Sequence, residues 1–364
     1  MKQEGYLAGK SPVLLAVAFA IILSACAPGG NGTTTTEPGA TTSTAGSETT
    51  IGAPPQELIV YSGRNENFIS PVVEAFTAAT GIRVRVRYGD GTSDLATTII
   101  NEGETTNADI FWAQDPAWIG AIGDRGLLAT LPDDILALVD PRYQDANGQW
   151  VGVTGRSRVF VYNPDLVSQD ELPRSVYELT DPKWQGRIAI APTNGSFVAF
   201  VSAMELADGS EATREWLEGM AANDVERFAS NGAILGAVAA GDVAAGLINH
   251  YYLLQLQANQ GEVNAVNHVF APGDPGALVA ASGVGVLEPS TNKEAGAEFI
   301  RYLLSTEAQT HFSENLFEYG LVAGSPTPAG QVPLAELAGP DINLSHLADH
   351  LDSSVRLIAE AGLS

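Results

Sequence analysis

From residue 57 onward the chain alternates short apolar runs with longer stretches of helical period. "ELIVYSG" (57–63) reads as a short buried strand. "NFISPVVEAFTAATG" (67–81) reads as a helix, with apolar residues at helical spacing and Gly81 to close it. "IRVRVRYG" (82–89) alternates strictly, so Ile82, Val84 and Val86 are expected inward and three arginines outward, a half-buried strand. A helix over "TSDLATTIINEG", a strand over "ADIFWAQ" and a helix opening on a proline in "PAWIGAIGDRGLL" continue the pattern. Repeated β-α-β units predict a parallel sheet covered by helices. Ligands on such sheets bind beyond the carboxyl ends of the strands, so the loops "YSGRNE" and "WAQD" are candidate site loops.

"WVGVTGRSRVFVYNPDLV" (150–167) is a long extended stretch, a plausible crossing into a second lobe. That lobe would hold "GRIAIAPTNGSFVAFVSAMEL", "SEATREWLEGMAAND", "GAILGAVAAGD" and "VAAGLINHYYLLQ". "GALVAASGVGVLEPS" reads as the return crossing, and two helical stretches, from 292 and from 344, close the chain. A length of 364 residues suits two lobes of ordinary size. Two α/β lobes joined by extended crossings leave a cleft, a common place for a ligand.

The second lobe contains an awkward pair, Tyr251 and Tyr252. On a continuing strand neighbouring side chains point to opposite faces, so one core cannot hold both rings. Either one ring is in the core and one at the surface, or the strand stops and both phenols turn toward a shared target. From the residues alone both readings stand. "APTNGSF" leads from a strand into a helical pattern and places Asn194, Gly195 and Ser196 at a helix start, where free N–H groups attract an anion. The same residues also suit a plain cap and turn.

The first 25 residues stand apart from the fold. Lys2 and Lys10 precede an apolar run of about eleven residues, the size of a signal peptide's core and short of the roughly twenty a spanning helix needs. The run ends in "LSAC", which resembles a bacterial lipobox, and Cys26 is the only cysteine in the chain. The resemblance implies cleavage before Cys26 and lipidation there, a stable anchor when two or more acyl chains are attached. Residues 26–56 are nearly free of large apolar side chains and read as a disordered tether. A formal charge of −25 and no basic face argue against nucleic acid as a partner. An enzyme is not favoured either. No G-x-S-x-G elbow is present, and "SHLADH" spaces His346 and His350 one turn apart without the H-E-x-x-H pattern, so a solvated helix face is the better reading.

Taken in order, "VYSGRNE", "ATGIRVRVRYG", "ADIFWAQD", "GLLATLP", "VGVTGRSRVFVYN", "DPKWQGRIAIAPTNGSF" and "INHYYL" resemble the ferric-ion-binding solute receptors of bacterial ABC importers. The resemblance implies an α/β, two-lobed periplasmic-binding-protein-like fold of type II with the ligand cleft between the lobes. The lobes expected are 57–157 plus about 282–333, and about 158–281 plus 334–364. It further implies that Tyr251 and Tyr252 supply phenolates to Fe(III), the transported ligand. Arg156, with Asn194, Gly195 and Ser196, would clamp carbonate or phosphate as a synergistic anion. Asn231 and Asn249 match asparagines near that site, although turn and strand-end roles fit them equally. Many such receptors carry a histidine and a glutamate where this chain has Asn65 and Gln114. Neither brings a negative charge; Glu66 or Asp115 would have to shift in, and water or an amide is expected to complete the metal shell.

The implied partners are a permease and its ATPase, with the membrane reached through the anchor at Cys26. The protein is expected as an exported monomer on the outer face of the cell membrane or in a periplasm. A receptor of the same fold for a small organic solute (thiamine, a polyamine or a phosphonate) is the alternative, since two aromatic rings also wall an organic cation.

Overall fold

The computed structural model describes residues 57–89, 91–337 and 339–364. The expected signal peptide over 1–25, the lipidation site Cys26 and the tether over 26–56 lie outside the described residues. Among the described residues no helix is long and apolar enough to cross a membrane.

Strands β1 (Glu57–Ser62), β2 (Arg83–Tyr88) and β3 (Ile110–Trp112) alternate with helices α1 (Glu66–Thr80) and α2 (Thr92–Glu102). β1 pairs in parallel with both other strands, leaving β2 at the sheet edge. An edge position explains the alternation in β2: its three arginines are exposed while Val84 and Val86 are half-buried. Asn65 caps α1, its Oδ1 accepting from Asn67 N at 3.0 Å. Gly81 ends the helix with φ 78°, a left-handed conformation that glycine adopts without a β-carbon clash.

Helices α3 (Pro116–Gly123) and α4 (Asp133–Leu136) lead to β4 (Val151–Tyr162), all of whose residues are buried. Beyond it come β5 (Ile188–Ile190), α5 (Gly195–Asp208), α6 (Ser210–Ala222), β6 (Glu226–Arg227) and α7 (Asn231–Ala240). Then follow β7 (Ala245–Asn249), α8 (Tyr251–Gln260), β8 (Val266–His268) and β9 (Val279–Val286). The chain closes with α9 (Lys293–Leu303), α10 (Thr306–Asn315), β10 (Tyr319–Gly320) and α11 (Leu351–Glu360).

The sheet order is β2-β1-β3-β9-β4-β7-β5-β6, with β8 and β10 also on β4. Its two ends are parallel, but every pair involving β4 or β9 is antiparallel. The all-parallel expectation fails here because the two long crossing strands pair directly with each other, and antiparallel neighbours need no helical crossover. β4 changes partners along its length. Residues 151–157 pair with β9, and 158–162 pair with β7. Its outer half is buried on both faces: Phe160 and Tyr162 join the larger core, while Val159 and Val161 join a smaller one with Ile234, Val238 and Ile248.

The stretch holding His346 and His350 is a 3-10 turn over Leu344–His350, not an α-helix. His346 Nδ1 lies 3.5 Å from Asp349, and both side chains are more than half exposed, at 54% and 64%. Among the described residues no group of three His, Cys, Asp or Glu side chains gathers as a metal site.

Candidate functional site

A cavity of about 340 Å³ opens where β1, β3, β5 and β7 end, lined there by Gly63, Gln114, Thr193 and Asn249. β3, β5 and β7 feed α3, α5 and α8, whose starts border the cavity through Asp115, Ser196 and Tyr251, and the start of α2, which follows β2, joins them through Thr92. Helix starts present unsatisfied N–H groups and the positive end of the helix dipole. Four of them around one cavity make a site for negative charge.

The paired tyrosines are resolved by the turn between β7 and α8. His250 already has helical backbone angles, so the strand ends at Asn249 and Tyr251 opens the helix. Successive helix residues differ by about 100° rather than 180°, which lets both rings face one side. They stack at 4.4 Å between centroids and 25° between planes, and both line the cavity. Tyr251 is buried and Tyr252 half-buried. Burial holds the Tyr251 phenol well above its ordinary pKa, Tyr252 adds to this, and Arg156 pulls the other way.

Arg156 and Arg158 sit two residues apart on β4 and are each 2% exposed. Arg156 lines the cavity and donates from Nη2 to the Gln114 carbonyl, while its Nε has no protein partner among the described residues. Arg158 lies behind the cavity wall. It donates to Ser196 Oγ at 3.3 Å, Asn249 Oδ1 at 3.4 Å and the Leu247 carbonyl at 3.1 Å. Burial lowers its guanidinium to about 9, with Tyr252 and Tyr251 opposing, so it stays cationic at neutral pH. At the start of α5, Asn194 Oδ1 accepts from Ser196 N at 3.0 Å and Ser196 Oγ at 2.7 Å. Asn231 donates to Ser196 Oγ at 3.1 Å from behind.

Residues 72–329 match the family described as bacterial extracellular solute-binding protein. The chain belongs to that family. It is 36% identical over 312 residues to an Fe(3+)-binding periplasmic protein of Serratia marcescens, covering 85% of this chain and 91% of that one. A major ferric iron-binding protein of Neisseria meningitidis serogroup B is 32% identical over 315 residues, covering 84% and 93%. Among solved structures, iron-bound HitA from Pseudomonas aeruginosa superposes with a TM-score of 0.80 at 34% identity, covering 85% of this chain and all of that one. The fold is therefore the two-lobed α/β type II architecture of these solute-binding proteins.

Of the residues singled out in the sequence, Tyr251, Tyr252, Arg156, Asn194, Gly195, Ser196, Gln114 and Asn249 meet at the one cavity. Asn231 stands one layer behind it. Asn65 borders a neighbouring cavity of about 360 Å³, which shares Gly63, Gln114 and both tyrosines with the first, so the stacked rings form part of the wall between the two. Glu66 is exposed on the first turn of α1 and lines neither. Sequence reasoning missed Arg158, although "GRSR" on a strand puts both arginines on one face. It also missed the convergence of α2, which depends on tertiary structure.

His250, between strand and tyrosines, is a fixed part of this solute-binding protein's frame. Its Nδ1 accepts from Ser157 N at 3.1 Å, and Nε2–H donates to the Phe317 carbonyl at 2.8 Å. Burial lowers its pKa to about 4. The unfolded chain binds that proton near pH 6.5, so the neutral ring contributes its full stability above 6.5 and loses it as pH falls toward 4. The metal-free protein is expected to lose about 2 kcal/mol between pH 7 and pH 5 from this group. Urea unfolding at both pH values checks it: His250→Gln should flatten the difference, and an unchanged slope would assign the pH dependence elsewhere.

Proposed function

We propose that this chain is the extracytoplasmic receptor of an ABC importer and that its cargo is Fe(III), bound by the Tyr251 and Tyr252 phenolates with an anion against Arg156 and the start of α5. The observation that carries this reading is the stacked tyrosine pair at a helix start, facing a cavity with a buried arginine. Fe(III) is a hard cation that favours charged oxygen ligands. With no cluster of His, Cys, Asp or Glu among the described residues to hold it, phenolates and an external anion are the donors on offer. The names carried by the Serratia and Neisseria relatives agree with such a cargo. Fe(III), two phenolates, a dianion and Arg156 sum to near neutrality, and a neutral cluster is less costly to bury than an uncompensated charge.

The lobes would meet at the β4 and β9 crossings, dividing near 157 and 282, and close over the cargo by hinge motion. The closed receptor would deliver iron to a permease driven by an ATPase, while an anchor at Cys26 would hold it at the outer face of the cell membrane. The test is a visible absorption spectrum of the purified protein with chelated Fe(III), with and without bicarbonate or phosphate. A tyrosinate-to-iron band that depends on the anion is the expected result. A colourless protein under every condition would overturn the iron reading and leave the organic-solute receptor.

A further inference from the structure

The cavity that receives the anion also contains a carboxylate. Asp115 follows β3, is 5% exposed, and caps α3 by accepting from Trp118 N at 3.3 Å through Oδ1. Its Oδ2 lies 3.8 Å from where a β-carbon on Gly195 would stand, at the first residue of α5. Both residues line the cavity with Arg156, whose Nε is buried without a protein partner. The cavity thus brings donors from Arg156 and the α5 start together with one carboxylate acceptor.

An ionised carboxylate only accepts hydrogen bonds. An oxyanion whose oxygens are all acceptors would meet Asp115 acceptor to acceptor, in a buried place where an unmade hydrogen bond is costly. An oxyanion that keeps an O–H at neutral pH donates it to Asp115 while its other oxygens accept from Arg156 and the backbone. Resting on the anion site proposed above, we infer that Asp115 makes the cavity select protonated oxyanions, such as hydrogen phosphate or hydrogen carbonate, over aprotic ones of the same shape. Hydrogen phosphate and sulfate are both tetrahedral dianions, so charge and size do not separate them. The proton does. Asp115 acts as the repulsive element from which specificity arises.

Isothermal titration calorimetry of the purified metal-free protein at pH 7.5 and fixed ionic strength, with inorganic phosphate and then sulfate, reads this directly. Phosphate is expected to bind at least about tenfold more tightly than sulfate. Asp115→Asn keeps a helix cap and supplies an N–H donor, so sulfate should gain and the ratio should fall to within about threefold. Equal affinities in the unaltered protein, an unchanged ratio in the variant, or no binding of either anion would overturn the inference. Spectra with Fe(III) on the same samples separate it from the function proposed above. A coloured complex without anion discrimination removes only the role of Asp115, whereas discrimination without colour removes only the iron.

Discussion

Phenylalanine at either Tyr251 or Tyr252 is expected to abolish the coloured ferric complex and weaken iron binding by more than about a hundredfold, beyond the usual cost of losing a residue that merely supports a ligand. The ring stack survives either change, since the 4.4 Å contact is between ring faces. Each variant loses one phenolate charge in a site that already holds buried Arg156 and Arg158. The metal-free proteins should keep their stability to within about 1 kcal/mol, because only one hydroxyl is removed. Proton release sharpens the test. Tyr251 is protonated in the free protein, its pKa raised by burial, so iron bound by this phenol would expel its proton, and binding is expected to weaken in acid. Calorimetry in buffers of different ionisation enthalpy should show proton release on iron binding. Colour and affinity retained in Tyr251→Phe would remove the buried phenol from the ligand set.

The elements of this fold were readable wherever local pattern decides them. "IRVRVRYG" alternates because β2 is an edge strand with one wet face. "PTNGSF" reads as a helix start because Asn194 is a capping residue, and it caps α5. The direction of β4 and β9 was not readable, since a run of buried residues fits a parallel or an antiparallel neighbour equally. Register and pairing there come from contacts about 120 residues apart, such as Arg156 opposite Ala280.

The site follows the same division. Tyr251 and Tyr252 stood out as a local conflict with strand alternation, and the turn at His250 removes that conflict by starting a helix one residue early. Asp115 and Gln114 could be placed after a strand, but that Asp115 would lie beside Gly195 depends on tertiary structure. Glu318 gave no signal, lying in an ordinary helix-to-strand connection after α10.

That residue is expected to carry one of the largest stability effects in the molecule. Glu318 is 1% exposed and takes a two-pronged pair from Arg64, Nη1 to Oε1 at 3.1 Å and Nη2 to Oε2 at 2.8 Å. Thr154 on β4 also donates to it. Burial alone would raise its pKa, but Arg64 and Arg156 outweigh this and hold it below the ordinary value. Removing one partner of a buried pair leaves the other charge uncompensated, so Glu318→Ala should destabilise the metal-free protein by about 3–5 kcal/mol. Pairing Glu318→Leu with Arg64→Met should restore much of that loss, because the Arg64 charge is then not left buried without its carboxylate. The contribution is present above about pH 4.3, the ordinary glutamate value, and fades as pH falls through the lower folded value. Arg64 Nη1 also donates to Gln114 Oε1 at 3.0 Å, and Gln114 lines both cavities, so the same variant should loosen the site wall. Urea unfolding of the single and double variants decides it: a Glu318→Ala protein as stable as the parent would mean that water replaces the carboxylate without cost.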